Sequence, residues 1–324
     1  MKHSCRVLGL IVFWFGAAVG HASAQDLQYP KAPVKVVVGY PAGNTTDFIA
    51  RTIGERLAAK WQQPVVIENL PGAGSSLAAA MTAKARNDGY TMLFTANAAM
   101  TIAPHLYESV AYDALKDFDY VNLVVWVPYV CAVTLGLPIH DVASLVQYTK
   151  ASPDKLAYGS PGSGTMSHLT MERLKAEHGV NVLHVPYKGS GAVVADLVAG
   201  HIQIACEPAN IMMPLAKAGR IRVIGVTSEK RLSILPNIPT IGETLTGFTS
   251  GAWIGVVMPR DTPRVIVNKV SEDISEVLRQ PEMRAKLEGV GLVVLSEGPA
   301  AFARLAQADY ERSGKLVRQL NLKP

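Results

Sequence analysis

The chain predicts an α/β protein of two lobes, with parallel-rich sheets and a central cleft. Three observations carry this reading. From Val34 onward, short β-branched strands alternate with helical stretches, the pattern of sheets covered by helices on both faces. The alternation breaks twice, over 111–123 and 231–251, and each time restarts on a long apolar strand. Three strand-to-helix joints are rich in Gly, Ser or Asn. A chain that leaves one lobe, builds a second and returns must cross twice. Ligands favour clefts between domains and the carboxyl ends of strands.

The first 24 residues stand apart. Lys2, His3 and Arg6 border an apolar run over 7–19, and Ala22-Ser23-Ala24 is a cleavage signature. That is a secretory signal peptide, because the run is too short to span a bilayer. Cys5 lies among the charges and away from the cleavage point, so no lipid anchor is expected. A soluble periplasmic protein starting near Gln25 is expected. The formal charge of +5 includes Lys2 and Arg6, which leaves about +3 on the mature chain. With no Lys/Arg-rich run, nucleic acid is not the expected partner. Two mature cysteines, Cys131 and Cys206, exclude a disulfide framework. Both sit in apolar strand-like runs, where buried inert thiols are expected ahead of a single bridge.

Strands are expected at VKVVV (34–38), PVVIE (64–68), YTMLFT (90–95), VPYVCAVTL (127–135), KLAYG (155–159), VLHVP (182–186), IQIAC (202–206), IRVIGVT (221–227) and WIGVVM (253–258). Helices are expected over 47–60, 144–150, 168–178, 191–199, 211–218, 265–279 and 302–320. The last carries Phe302, Leu305, Ala306, Leu316, Val317 and Leu320 close to a 3.6 period. The division that follows is a first lobe over 25–126, a second over 127–250 and a return to the first over 251–324. The crossings near Val127 and Gly251 are the candidate hinges.

The first Gly-rich corner is YPAGNTTD (40–47). Asp47 can cap the helix after it, and free amides over 43–46 can face an anion. NLPGAGSSLAAA (69–80) and YGSPGSGTMSHL (158–169) repeat the layout. The third corner has the GxxxxG spacing of a phosphate loop, but Thr165-Met166 stands where Lys-Ser/Thr is required. It also falls short of a dinucleotide fingerprint, and Ser163 lacks the G-x-S-x-G elbow. Ser152 and Lys155 match S-x-x-K without its companion motifs and read as a turn. No spacing suggests a metal, and no cofactor is expected. An enzyme, a periplasmic hydrolase or transferase, would need Ser160 or Ser163 within reach of His168 or another base; packing is the plainer role for His168. Tyr187, after VLHVP, either faces the cleft or lies in a solvated turn, and Glu207, just after IQIAC, either accepts from a ligand amine or holds a loop amide.

These stretches, with NDGYTMLF (87–94), HVPYKGSGAVVADLVAGHIQI (184–204), AGRIRVIGVTSEKR (218–231), PNIPTIGE (236–243) and WIGVVMPRDTP (253–263), resemble the Bug-type receptors. Those are the extracytoplasmic solute-binding proteins of tripartite tricarboxylate transporters. The match runs in order along nearly the whole mature chain. It implies a type II periplasmic-binding-protein fold closing on a small carboxylate, with no catalysis. It also implies delivery to the integral membrane subunits of such a transporter, and the receptor is expected to be a monomer. A sensor serving a signalling partner would share every site residue. Loop amides and waters from 41–47 and 160–165 hold the carboxylate in that family. The expected ligand-binding set here is Pro41, Ala42, Gly43, Asn44, Thr45, Asp47, Gly74, Ser75, Thr95, Ser160, Gly162, Ser163, Gly164, Thr165, Tyr187 and Glu207. Two departures from the family pattern are Gly43-Asn44 in place of Gly-Gly, and Glu207 in place of an aspartate or an apolar–acidic pair.

Overall fold

Residues 28–152 and 155–322 are described by a computed structural model. The signal peptide, its cleavage site and Cys5 lie outside the described residues. In chain order the elements begin with β1 (Val34–Val38), α1 (Thr45–Trp61), β2 (Val65–Asn69), α2 (Ser76–Ala83) and β3 (Thr91–Ala96). A π-helical turn over Ala98–Ile102 leads into α3 (Ala103–Leu106) and then β4 (Phe118–Val133). Next come α4 (Val142–Ala151), β5 (Ala157–Ser160), α5 (Met166–His178), β6 (Leu183–Pro186), α6 (Ser190–Ala199), β7 (Ile204–Pro208), α7 (Ala209–Lys217), β8 (Arg222–Val226) and α8 (Ile241–Thr244). The chain closes with β9 (Gly251–Pro259), α9 (Arg264–Arg279), α10 (Pro281–Glu288), β10 (Val293–Glu297) and α11 (Pro299–Gln319).

Local chemistry sets the ends of the helices. Asn44 caps α1 by accepting from the Thr46 amide, and Asp141 with Ser144 forms a capping box on α4. Pro281 sits in the first turn of α10, where its missing amide proton costs nothing. Along α9, Val267, Val270, Ile274, Val277 and Leu278 repeat every three or four residues and bury one face.

One strand serves two sheets. Over 118–128 β4 pairs with β9, and over 129–133 it pairs with β7 and β8. The first sheet runs β2-β1-β3-β9-β4, with β10 on the other side of β4; the second runs β4-β7-β5-β6, with β8 beside β4. The outer pairs β1–β2, β1–β3, β5–β6 and β5–β7 are parallel. Every pair made by β4 or β9 is antiparallel: β9 runs against both β3 and β4 in the first sheet, and β4 runs against β7 and β8 in the second. The parallel-rich sheets expected from the alternation are mixed, with the antiparallel pairs gathered on β4 and β9. Each sheet has its own buried layers: Val36, Ile53 and Val270 lie under the first, and Val133, Tyr158 and Leu174 under the second.

The second passage between the sheets, at 249–251, lies beside the first. Thr227 joins them: its Oγ1 donates to Ser250 O at 2.6 Å and accepts from Tyr129 N at 3.0 Å. The same threonine's backbone exchanges bonds with Tyr129 O and Ser250 N.

Three expectations change. The stretch 111–123 is not wholly irregular, since β4 already begins at Phe118; the polar Asp119 and Asn122 hid a strand, and they reach distant partners, Asp119 accepting from Thr262 N and Asn122 Nδ2 donating to Ser275. The short elements α2, α3, α10 and β10 lacked a periodic signal long enough to read. Cys131 and Cys206 are not free thiols: they stand directly opposite each other in the β4–β7 register, with Cα atoms 4.0 Å apart, and form a disulfide. A separation of 75 residues concealed that pairing from the sequence.

Candidate functional site

The carboxyl ends of β1, β3, β5 and β7 converge on a small inner chamber of about 40 Å³. It opens beside a larger outer chamber of about 500 Å³, and Tyr40, Asn44, Pro161 and Thr165 border both. Strands from both sheets furnish the inner walls: Val127 and Tyr129 from β4, and Ala252 and Ile254 from β9.

Four expected residues line the inner chamber: Asn44, Thr45, Thr165 and Glu207. Pro41, Gly74, Ser75, Gly162, Ser163 and Tyr187 line the outer one, together with Asn44 and Thr165. The remaining six, Ala42, Gly43, Asp47, Thr95, Ser160 and Gly164, line neither.

Asp47 explains much of this. Its carboxylate accepts from Gly43 N at 2.8 Å, Arg51 Nε at 2.9 Å and Asn69 Nδ2 at 2.9 Å. Burial raises the affinity of this carboxyl for a proton, but the Arg51, Gly43 and Asn69 bonds more than reverse that and hold it below the usual range. Asp47 is therefore a brace for the corner. The amides expected to be free over 43–46 are mostly committed: Gly43 to Asp47, Asn44 to Pro41 O, and Thr46 to Asn44 Oδ1. Thr45, the first residue of α1, keeps an amide without a partner among the described residues. Its hydroxyl reaches across to the second half and donates to Asn210 Oδ1 on α7 at 2.9 Å.

The third corner is tied off in the same way. Thr165 Oγ1 donates to Gly162 O at 2.7 Å, and Gly164 N donates to His168 Nδ1 at 3.1 Å. Ser160, fully buried, shares a 2.7 Å hydrogen bond with His184 Nε2. That is the serine–base pair an enzyme would require, yet it borders neither chamber. His184 is stacked between Tyr158 and His168, and among the described residues no carboxylate accepts a hydrogen bond from its ring to orient it. Burial, and then His168, push the His184 imidazole down to about 4, so it is neutral near pH 7. Thr95 is fully buried; the residues after it, Ala96 to Ala98, reach the inner wall instead.

Sequence reading missed Tyr40, Asn97, Tyr129, Ser167 and Ser190, all on the inner wall. Ser167 and Ser190 lie in the first turns of α5 and α6, just after Gly-rich loops, and that position was a usable signal. Asn97 and Tyr129 carried none. No Lys, Arg or His lines the inner chamber. Its positive potential comes from the starts of α1, α5 and α6, whose first-turn amides lack intrahelical partners.

Glu207 is the exception in this field. It is fully buried; Oε1 accepts from Ser167 Oγ at 2.6 Å, while Oε2 has no hydrogen-bond partner. Ser190 flanks the carboxyl without completing a bond to Oε2. Burial pushes this acid up to about 7, against the pull of Ser167 and Ser190. Among the described residues no group of three His, Cys, Asp or Glu side chains is placed to hold a metal, and no helix is long and apolar enough to cross a membrane.

Two mixed sheets sharing a strand, with helix starts converging on a buried chamber between them, define a solute-binding protein of the periplasmic binding-protein fold. The chain belongs to the family described as "Tripartite tricarboxylate transporter family receptor", whose model matches residues 49–322. It is 33% identical over 319 residues to the protein of the tcbD-tcbE intergenic region of a Pseudomonas species, covering 98% of this chain and 94% of that one. It is similar to the R. palustris protein Rpa4515, solved with adipate, at 32% identity and TM-score 0.88, over 91% of this chain and 99% of that one. A second similar structure is MatC of Rhodopseudomonas palustris with bound malate, at 31% identity and TM-score 0.84, over 89% and 100%. The chain is a solute-binding receptor and not an enzyme.

Proposed function

We propose that the protein captures a small organic acid in the periplasm, holds its carboxylate in the inner chamber and presents it to the integral membrane subunits of a tripartite tricarboxylate-type transporter. The observation that supports this most is the convergence of three helix starts, at Thr45, Ser167 and Ser190, on a chamber with no basic side chain. Amide dipoles can hold an anion without a formal counter-charge. Adipate and malate in the two R. palustris relatives favour the same ligand class.

In this reading the lobes are 25–126 with 251–324, and 127–250, and they close about the paired passages at Thr227. The Thr45–Asn210 bond joins them when closed. The receptor acts as a monomer in this reading. A thermal-shift panel of mono-, di- and tricarboxylates beside sugars and simple amines tests the ligand class. Stabilisation by at least one carboxylate is expected. Stabilisation by a sugar or amine, with none by any carboxylate, would overturn the reading.

A further inference from the structure

Six buried side-chain polar atoms lack a hydrogen-bond partner among the described residues, and two of them, Glu207 Oε2 and Asn97 Oδ1, line the inner chamber. Both are oxygens. A carboxylate ligand supplies only acceptors, so the helix starts suit it but Glu207 does not. An ionised Glu207 would repel it.

Size narrows what else the ligand brings. A cavity of about 40 Å³ holds roughly three water-sized groups at ~10–15 Å³ each. A carboxylate takes most of that space, so the further polar group best placed to reach Glu207 is one on the carbon beside the carboxylate. The rest of the molecule then extends into the outer chamber of about 500 Å³.

We propose that Glu207 is a specificity-determining residue, selecting acids that carry a hydrogen-bond donor, a hydroxyl or an ammonium, next to the carboxylate held by the helix starts. This rests on the carboxylate-receptor reading and deepens it. The unpaired Oε2, inside a chamber otherwise rich in donors, carries the assignment. A purely structural carboxyl at full burial would have both oxygens satisfied.

The acid–base behaviour of the chamber supports the same role. Glu207 is faced by Tyr129 from β4, Ser167 from α5 and Ser190 from α6, with Tyr40 on the same wall. Burial raises both tyrosines far above neutrality. Glu207, pushed up to about 7, is then the one lining group that titrates near pH 7. A diacid without a donor must bind the protonated form, so its affinity falls as pH rises from 6 to 8. An ammonium-bearing acid prefers the ionised form, so its affinity rises over the same range and its binding at pH 6 releases a proton.

Calorimetric titration with succinate, malate and aspartate, three four-carbon diacids differing in one substituent, tests this on the mature chain at pH 6 and 8. Malate and aspartate should bind at least tenfold tighter than succinate at pH 8. Glu207→Gln, close in shape, should reduce the aspartate advantage at least tenfold and the malate advantage less, because the amide oxygen still accepts. Equal affinities for the three acids in wild type, or an unchanged ranking in a folded Glu207→Gln, would overturn the assignment. Proton release, read on wild type alone from titrations in two buffers of different ionisation enthalpy, gives a check that needs no variant; its absence on aspartate binding at pH 6 would count against Glu207. If none of the three acids binds, the same comparison is made between the carboxylate that the thermal-shift panel finds and its analogue lacking the adjacent donor; equal affinities there overturn the assignment while the carboxylate reading stands.

Discussion

The loops at 41–47 and 160–165 read alike in sequence, yet they are closed by different chemistry. The first is held by charge: Asp47 gathers Gly43 N, Arg51 and Asn69 around one buried carboxylate. The second is held by neutral groups, with Thr165 on Gly162, Gly164 on His168, and Ser160 on His184. Both spend most of their own polar groups on themselves. What each offers a ligand is the start of the helix behind it. A Gly-rich corner at a helix start therefore marks the place of an anion site, while its loop residues are mostly scaffold.

The largest effect is expected where the second loop meets the first half of the chain. Gly164 has φ +76, and a Cβ there would overlap Leu106 Cδ2 on α3. Gly164→Val should strain the backbone and keep the two halves apart, weakening carboxylate binding by 100-fold or more in a calorimetric titration. Normal binding by a folded Gly164→Val would mean that this contact is not part of the bound state.

A smaller loss, seen in stability, follows from removing the charged brace. Asp47→Ala strands three donors and should destabilise the protein by about 2–3 kcal/mol, since hydrogen bonds to a charged group are worth more than neutral ones. Its counterpart in the neutral loop, Ser160→Ala, should cost about 0.5–1.5 kcal/mol and leave binding within a few-fold. Urea unfolding of the two variants compares the loops directly. Equal losses would erase the distinction between charged and neutral closure.

The smallest effect is one of slope. His184 has its proton affinity lowered on folding, to about 4, so its contribution to stability is full above pH 6.5 and is lost as pH falls through 4. Glu207 has the opposite sign: raised to about 7, its contribution is full below pH 4.5 and is lost as pH rises through 7. The two windows overlap between about pH 4.5 and 6.5, where the opposing slopes offset each other, so Glu207→Gln should unmask a rise of the unfolding midpoint with pH across that range. A plot unchanged by that substitution would show that Glu207 does not titrate there.

Much of the fold was legible because runs such as VKVVV and WIGVVM admit little besides buried strands. What stayed hidden depends on pairing between distant segments. The early start of β4, the reversed direction of β9 and the Cys131–Cys206 bridge are all facts of register, on which local propensity is silent. At the site, sequence located the corners but could not tell scaffold from lining. Asp47 and Ser160 are polar, lie in the right loops and point away. Ser167 and Ser190 look like ordinary helix-start residues until the strands bring them to one chamber.

The place of β9 has a consequence for how the chain is made. It lies between β3 and β4, so the first 250 residues cannot complete the first sheet, however long they wait. Until Gly251–Pro259 emerges, β3 and β4 face each other across a gap with open edges, a form prone to wrong pairing and aggregation. Were the chain threaded through a membrane from its amino end, the tail that finishes the sheet would cross last, and the first sheet could be completed only on its arrival. A truncation after residue 250 would then be a permanent folding intermediate rather than a smaller receptor.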